Sequence, residues 1–525
     1  MTVQEKITQG KVCLGIELGS TRIKATLIDD TFAPIASGAH DWENRLENGY
    51  WTYSLEDIHS GIQSCYASLK KDVAEKYEVT LQNIGAIGIS AMMHGYMAFD
   101  SEGKLLVPFR TWRNTTTEQA ATELTQLFSF NIPQRWSIAH LYQAILNNEP
   151  HLSELACINT LAGYLHCRLT GNRCVGVGEA SGMFPITDGD YDSAMLDKFN
   201  TAAAAKGFNK EIREILPKVL NAGENAGTLT EEGAKFLDPA GDLKAGVPLC
   251  PPEGDAGTGM AATNAVLPKT GNVSAGTSIF SMLVLEKNLS NVYPEIDIVT
   301  TPDGAPVAMV HCNNCTSELD AWVRLFDEVI KLAGSSIPKY KLYDLLYINT
   351  LTADPSCGGV MSYNYLSGEP VTAVESGKPM YFRTPDAKMN IANFFRSQIY
   401  SAIAALKTGM DILFEKEQVT ADEFTGHGGL FKTEGVAQQY LADALNTPVS
   451  VMKTAGEGGS WGIALLAAYT LDSKGKTLPD WLNSEVFAGM EKQTKQPEEK
   501  GRQGFEEYMK LYIAGLSAEK MLGGV

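Results

Sequence analysis

A chain of 525 residues, 44% apolar and 20% charged, has the length and composition for two globular domains with sizeable cores. Its 62 acidic against 43 basic side chains leave a net charge of −19; that field repels polyanions and argues against nucleic-acid or acidic-membrane partners, though backbone amides and a few lysines can still build a local anion site. The first ten residues lack an apolar signal-peptide core, no later stretch could span a bilayer, and nine cysteines are scattered without framework spacing, so reduced thiols in the cytoplasm are expected.

In chain order, strands are expected at 12–16, 23–28 and 33–36, a meander whose first tip is Gly19-Ser20-Thr21. Apolar spacing predicts a helix over Leu55–Tyr77 and a buried strand over 84–90. A hairpin of 96–99 with 105–108 comes next, then helices over Glu118–Phe128 and 138–147. A short strand at 247–250 runs into the Pro- and Gly-rich loop 251–259, which enters a helix. Residues 267–270 read as the crossing into the second half, where strands at 272–285 and 307–311 precede a helix over 394–414. A strand at 424–429 leads into a helix over 434–445, and the charge-rich 491–500 reads as a solvated helix or linker. Strands followed by helices, twice over, predict an α/β protein of two domains, 1–265 and 266–525. Cys312 and Cys315 have no second Cys/His pair at finger-like spacing, so a zinc site is not expected.

Two segments carry the same device: Gly15-Ile-Glu17-Leu-Gly19-Ser20-Thr21, and Asn272-Val-Ser274-Ala-Gly276-Thr277-Ser278. Each is a small glycine turn with hydroxyls between apolar runs, which reads as a β-hairpin whose backbone N–H groups can cradle an anion. One such tip is ordinarily just a turn. Two, near the starts of the two halves, suggest a duplicated fold closing two phosphate loops onto one nucleotide. A Gly-x-x-x-x-Gly-Lys-Ser/Thr loop is absent, as is a strict Gly-x-Gly-x-x-Gly after a strand, which argues against P-loop and dinucleotide-binding proteins.

Phosphoryl transfer needs phosphate-cradling amides, a metal and a base for the acceptor hydroxyl. Glu17 could orient a metal-bound water, and Lys24 could lie near phosphate; a solvated acid on an ordinary strand is the other reading. Asp255, among glycines at the mouth of a helix, could take a proton from a sugar hydroxyl or simply be an N-cap. Met93-His94-Gly95 and Trp112-Arg113-Asn114 offer an imidazole, an aromatic face and an amide to a polyhydroxylated substrate. Gly426-His427-Gly428-Gly429-Leu430-Phe431-Lys432-Thr433 and Gly456-Glu457-Gly458-Gly459-Ser460 each open a helix, where bare glycine turns can hold a flat base or a phosphate.

With those residues in line the chain resembles the FGGY carbohydrate kinases of the actin-like ATPase superfamily, over essentially its whole length. The first phosphate loop is matched by Gly15, Ile16, Gly19 and Lys24; the sugar motif by Met93-His94-Gly95; the catalytic segment by Gly254-Asp255. Ser274, Gly276, Thr277 and Ser278 match the second phosphate loop, Gly428 to Thr433 with Ala442-Asp443 the adenosine motif, and Ala180-Ser181-Gly182 a further loop. Three positions depart: Glu17 stands for the usual Asp, Asn114 for the acid of the sugar-binding Trp-x-Asp, and His427 for the first glycine of the adenosine run.

The resemblance implies two ribonuclease-H-like domains with an interdomain active-site cleft, ATP and Mg2+ as cofactors, and a small-molecule sugar as partner. It implies Asp255 as catalytic base, Met93, His94, Trp112 and Asn114 as sugar contacts, and Glu17 as a metal contact through water. Gly19, Ser20, Thr21, Lys24, Gly276, Thr277, Ser278, Gly428, Gly429 and Lys432 become the nucleotide contacts. Met92-Met93-His94 replaces the Arg-Glu pair of glycerol kinases, and Met-His-Gly is similar to pentulose kinases acting on xylulose or ribulose. Two rivals stay open, a nucleotide-gated binding protein and a catalytically silent sugar sensor, and a homodimer is compatible with the sequence.

Overall fold

In the computed structural model, which describes residues 1–452 and 458–523, the apolar runs flanking the first glycine turn form strands Cys13–Leu18 (β1) and Arg22–Ile28 (β2). They pair antiparallel with Leu18 opposite Ile23, and the Gly19 N–H closes the turn on the Arg22 carbonyl at 3.1 Å. Pro34–Asp41 (β3) continues the meander. On the other side, Ala86–Ala91 (β4) and the two-residue strand Glu253–Gly254 (β5) run parallel to it, giving the order β5-β4-β1-β2-β3. Every residue of β4 is buried, as expected of a parallel strand covered on both faces.

The chain divides into two compact units, the first comprising Met1–Val266, Ile298–Val307 and Glu457–Gly489, the second Leu267–Asp297, Ala308–Gly456 and Met490–Val525. In the first, helix Leu55–Tyr77 starts where the Ser54 hydroxyl accepts from the Asp57 N–H, and it buries Ile58, Ile62, Cys65, Leu69 and Val73 at helical spacing. Helix Gly458–Leu471 returns late in the chain to lie on β1 and on helix Asp255–Ala262. That approach is so close that a Cβ on Gly15 would stand 2.0 Å from the Ser460 carbonyl, and one on Gly462 2.0 Å from that of Thr258.

The expected 96–99/105–108 hairpin does not form as a ladder. Met97–Phe99 pairs with Cys157–Asn159, and residues 105–110 contribute only single bridges, Phe99 with Leu105 and Tyr96 with Arg110, because Pro108 has no N–H to donate. The expected strand at 247–250 likewise shrinks to two single bridges, Leu249 with Ile87 and Pro248 with Thr228, cut short by Pro251 and Pro252.

In the second unit, Thr270–Ala275 (β6) and Ile279–Val284 (β7) make the second hairpin, with Pro306–Cys312 (β8) beyond β7. Glu423–His427 (β9) and Val449–Met452 (β10) run parallel on the far side of β6. The run β8-β7-β6-β9-β10 repeats the pattern β3-β2-β1-β4-β5, so the topology is duplicated. The seven-stranded sheet ends in Asp297–Thr300 at one edge and Lys492–Lys495 (β11) at the other. β11 corrects the reading of 491–500 as solvated helix or linker: its alternating polar residues pair antiparallel with β10, and Lys492 bonds Glu423 at 2.7 Å, the charged character that suits an exposed edge. Helix Glu499–Gly523 follows and buries Phe505, Tyr508 and Tyr512. Among the described residues no helix is long and apolar enough to cross a membrane.

Candidate active site

The tip of the first hairpin is held by aromatic side chains. Trp42 Nε1 donates to the Gly19 carbonyl at 2.7 Å, Tyr53 Oη to the Ser20 carbonyl at 2.6 Å, and the Trp42 N–H to the Thr21 carbonyl at 3.2 Å. Trp42 and Tyr53 stack with ring centroids 4.1 Å apart, and Trp112 Nε1 reaches Ser20 Oγ at 3.3 Å. With the tip carbonyls tied to the protein and Thr21 exposed, the turn is arranged as an anion cradle needs.

Glu17, on β1, sits across from Lys24 on β2 and beside Ser90 on β4. Its Oε2 accepts from the Ser460 N–H at 3.2 Å, and a Cβ on Gly459 would come within 2.5 Å of Oε1; only glycine lets that helix N-terminus close on the acid. Burial and then the charge of Asp255 push the Glu17 carboxyl up to about 7, against the pull of Lys24 and the Ser460 N–H. Glu17 and Lys24 keep partial solvent access.

Asp255 opens helix Asp255–Ala262 as its first residue; the N-cap is Gly254, so the carboxyl is not spent on capping. It accepts instead from the Met93 N–H at 3.1 Å, which joins two motifs 162 positions apart. Burial pushes the carboxyl above the ordinary aspartate range, and the N–H groups of Met93, Ala256 and Asp255 itself pull it back. His94, next in the chain, holds a φ of +72°, a region that costs a side-chain-bearing residue about 1–3 kcal/mol and recurs at functional sites. Its Nδ1 donates to the Gly182 carbonyl at 3.1 Å and its ring stacks near Trp136, centroids 6.3 Å apart, so Ala180-Ser181-Gly182 serves as backing for the histidine.

Asn114 departs from the sugar-contact expectation. It is buried, its Nδ2 donates to the carbonyls of Trp51 and Thr111, both at 2.9 Å, and its Oδ1 accepts from the Trp51 N–H at 2.8 Å. Both donors are consumed by the backbone, so Asn114 is a clamp that fixes the Trp112 turn.

In the second unit the tip Gly276-Thr277-Ser278 is closed by the Gly276 N–H on the Ser278 carbonyl at 2.9 Å. Thr316 donates through N–H and hydroxyl to the Gly276 carbonyl, at 3.1 and 2.8 Å, and the Cys315 N–H to that of Thr277 at 3.0 Å. This repeats the tied-carbonyl scheme of the first tip. Gly428, at φ +102°, lies against the root of the hairpin: a Cβ there would be 2.4 Å from the Ala275 carbonyl. Gly428, Gly429 and Lys432 are exposed, and Thr433 bonds Asp344 at 2.8 Å. The run opens a short 3-10 turn, Gly429–Phe431, and helix Val436–Leu445 starts only after Gly435, later than the sequence suggested. His427 lies level with Ser274 on β6.

Residues 12–260 match the N-terminal domain, and 271–471 the C-terminal domain, of the FGGY family of carbohydrate kinases. The chain belongs to the FGGY family of carbohydrate kinases. It is a phosphotransferase with an alcohol group as acceptor. Over 494 residues it is 21% identical to a xylulose kinase of Lactococcus lactis, with 87% of each chain covered. It is 26% identical over 260 residues to an L-fuculokinase of Salmonella typhi, where the match spans 46% of this chain and 50% of that one. The solved structure of a ligand-bound xylulose kinase from Lactobacillus acidophilus shares the fold, with a TM-score of 0.78, 16% identity and coverage of 97% of this chain and 99% of that one.

In this FGGY kinase, one glycine turn does not lie where the sequence reading put it. Gly458, Gly459 and Ser460 belong to the first unit rather than the second, and the Ser460 N–H bonds Glu17 at 3.2 Å; Gly456 and Glu457 lie outside the described residues. Sequence reasoning missed Trp42 and Tyr53, whose only signal was aromatic enrichment after the first meander. It also missed the buried acids Glu179 and Glu253, each directly beside a matched motif.

Proposed function

We propose that this kinase phosphorylates the terminal hydroxyl of a ketose, a ketopentose such as xylulose or ribulose, with ATP as donor and Asp255 as general base. The observation that carries the reading is the 3.1 Å bond from the Met93 N–H to the Asp255 carboxylate, which sets the sugar motif against an acid at the mouth of a helix. The helix N-terminus and three backbone N–H groups favour the ionised carboxylate, while burial keeps it basic enough to accept the hydroxyl proton as the sugar oxygen attacks phosphorus. His94, held on edge by Gly182 and Trp136, directs a ring nitrogen to a sugar hydroxyl, and Trp112 offers an apolar face to the C–H groups. The name of xylulose in the relatives and the Met93-His94 pair support a ketopentose.

The nucleotide reading rests on the paired tips. Ser20, Thr21 and Lys24 in the first unit, and Gly276, Thr277 and Ser278 in the second, supply amides, hydroxyls and a cation for phosphate oxygens, and Thr277 stabilises charge that develops on transfer. Gly428, Gly429 and Lys432 serve the nucleoside. A hydrated Mg2+ fits beside Glu17: the residue keeps partial solvent access, and burial and then the charge of Asp255 raise its proton affinity, the condition of an acid short of a counter-charge. When bound, the metal neutralises charge on the phosphates.

ADP release measured over ketopentoses, ketohexoses and polyols tests the proposal. The highest kcat/KM is expected on a ketopentose; tight sugar binding with no ADP release from any of them would favour a silent sensor instead. Glu17→Gln is expected to raise the Mg2+ concentration for half-maximal rate by about 10-fold or more, the usual size of an effect on a metal's outer shell. An unchanged Mg2+ dependence would remove Glu17 from the metal.

A further inference from the structure

Glu179 has no part in the chemistry above, yet it is fully buried and neither carboxyl oxygen makes a hydrogen bond of ordinary geometry, the Thr160 hydroxyl alone standing close enough to favour its charge. Natural proteins rarely leave such a group unmatched without a use for it. Its Oε2 lies 2.5 Å from where a Cβ on Gly254 would stand, and Met93 Cγ lies 2.8 Å from the same point. Glu179 therefore packs beneath the residue that leads into Asp255, beside the residue whose N–H holds Asp255. Its neighbour Glu253 is equally buried but satisfied, accepting from the Glu179 N–H at 2.8 Å and the Gly178 N–H at 3.3 Å. Gly176 and Gly178 leave room for it: a Cβ on either would fall within 2.1 and 2.5 Å of a Glu253 oxygen. The chain thus gives up side chains on several strands and turns to keep two carboxyls behind one catalytic acid.

We propose that Glu179 is a positioning residue: its carboxyl, packed under Gly254, seats Asp255 at the mouth of its helix for proton transfer. The inference rests on the reading of Asp255 as the base. The groups facing Glu179 are Glu253 and Asp255 from the β5–helix segment, the Thr160 hydroxyl at the start of helix Leu161–Thr170, and Tyr191. Burial first, and then the charges of Glu253 and Asp255, hold its carboxyl well above the ordinary range, with Thr160 opposing. Because the folded value lies above the free one, the seat is whole below the ordinary glutamate range and is lost as pH rises through the raised value. Ionisation would leave a lone anion in an apolar layer beside two acids, so the segment must open or shift.

The test is kcat and kcat/KM against pH for wild type, Glu179→Gln and Glu179→Ala, with thermal unfolding and sugar binding measured on each. Glu179→Ala is expected to lower kcat by about 10- to 100-fold, since a small displacement of a catalytic group has effects of that order, with far less change in KM. Glu179→Gln, neutral at every pH and nearly the same shape, is expected to recover most of that loss and to abolish the alkaline limb of the wild-type profile. A folded Glu179→Gln as impaired as the alanine variant, or one with the wild-type alkaline limb, overturns the proposal; the comparison of wild type with Glu179→Gln stands even if the alanine variant does not fold. Asp255→Asn separates the two ideas. If it stays active, the base reading fails; if it is inactive while the Glu179 variants keep the wild-type profile, only the positioning role fails.

Discussion

Asp255→Asn is expected to lower sugar-dependent turnover by about 10²- to 10⁴-fold, the range over which general bases contribute. The substitution keeps the size of the side chain, and the carbonyl oxygen of the new amide can still accept from the Met93 N–H that now bonds the carboxylate at 3.1 Å. What it removes is the oxygen proposed to receive the proton. Because the Met93 N–H contact is kept and only the proton-accepting oxygen is lost, the loss should appear in kcat with little change in sugar affinity. Nucleotide affinity, measured by equilibrium titration with ADP, should stay within about threefold of wild type, roughly 0.6 kcal/mol. Turnover comparable to wild type would remove Asp255 as the base.

The second large effect is expected at a pair of glycines in the second unit. Gly428 has a φ of +102°, and a Cβ there would meet the Ala275 carbonyl at 2.4 Å and its N at 3.1 Å. Neither the backbone angle nor the neighbouring strand can yield cheaply, so Gly428→Ala should cost about 2 kcal/mol or more. For a unit of this size that corresponds to a fall in melting temperature of about 4–8 °C, accompanied by weaker ADP binding. Gly276 is the control: no atom lies within 4 Å of its would-be Cβ, so Gly276→Ala should melt within about 1 °C of wild type. Its methyl would stand on the open side of the tip, where phosphate is proposed to bind, and kcat/KM for ATP should fall. Equal melting temperatures for the two variants would show that the contact between the glycine run and β6 is not as close as drawn.

Both hairpins were legible because their geometry is local: a glycine turn with hydroxyls between apolar runs can be little else. The role of Asn114 was not, since its two hydrogen bonds to Trp51 come from a chain segment that sequence does not place beside it. The same holds for Gly459, which meets Glu17 across most of the chain. Glu179 and Glu253 look like ordinary surface acids in the sequence; only the glycines packed around them show that they are buried by design. The edge strand Lys492–Lys495 was read as solvated because its charge is real, and charge is also how an edge strand resists further pairing.

Transfer to a terminal ketose hydroxyl is tested most directly by the phosphorus spectrum of the product formed from ATP and a ketopentose. A primary ester, its phosphorus split by the two protons of a methylene carbon, is the predicted result, formed in step with ADP. A secondary ester, or ADP matched only by inorganic phosphate, would contradict it.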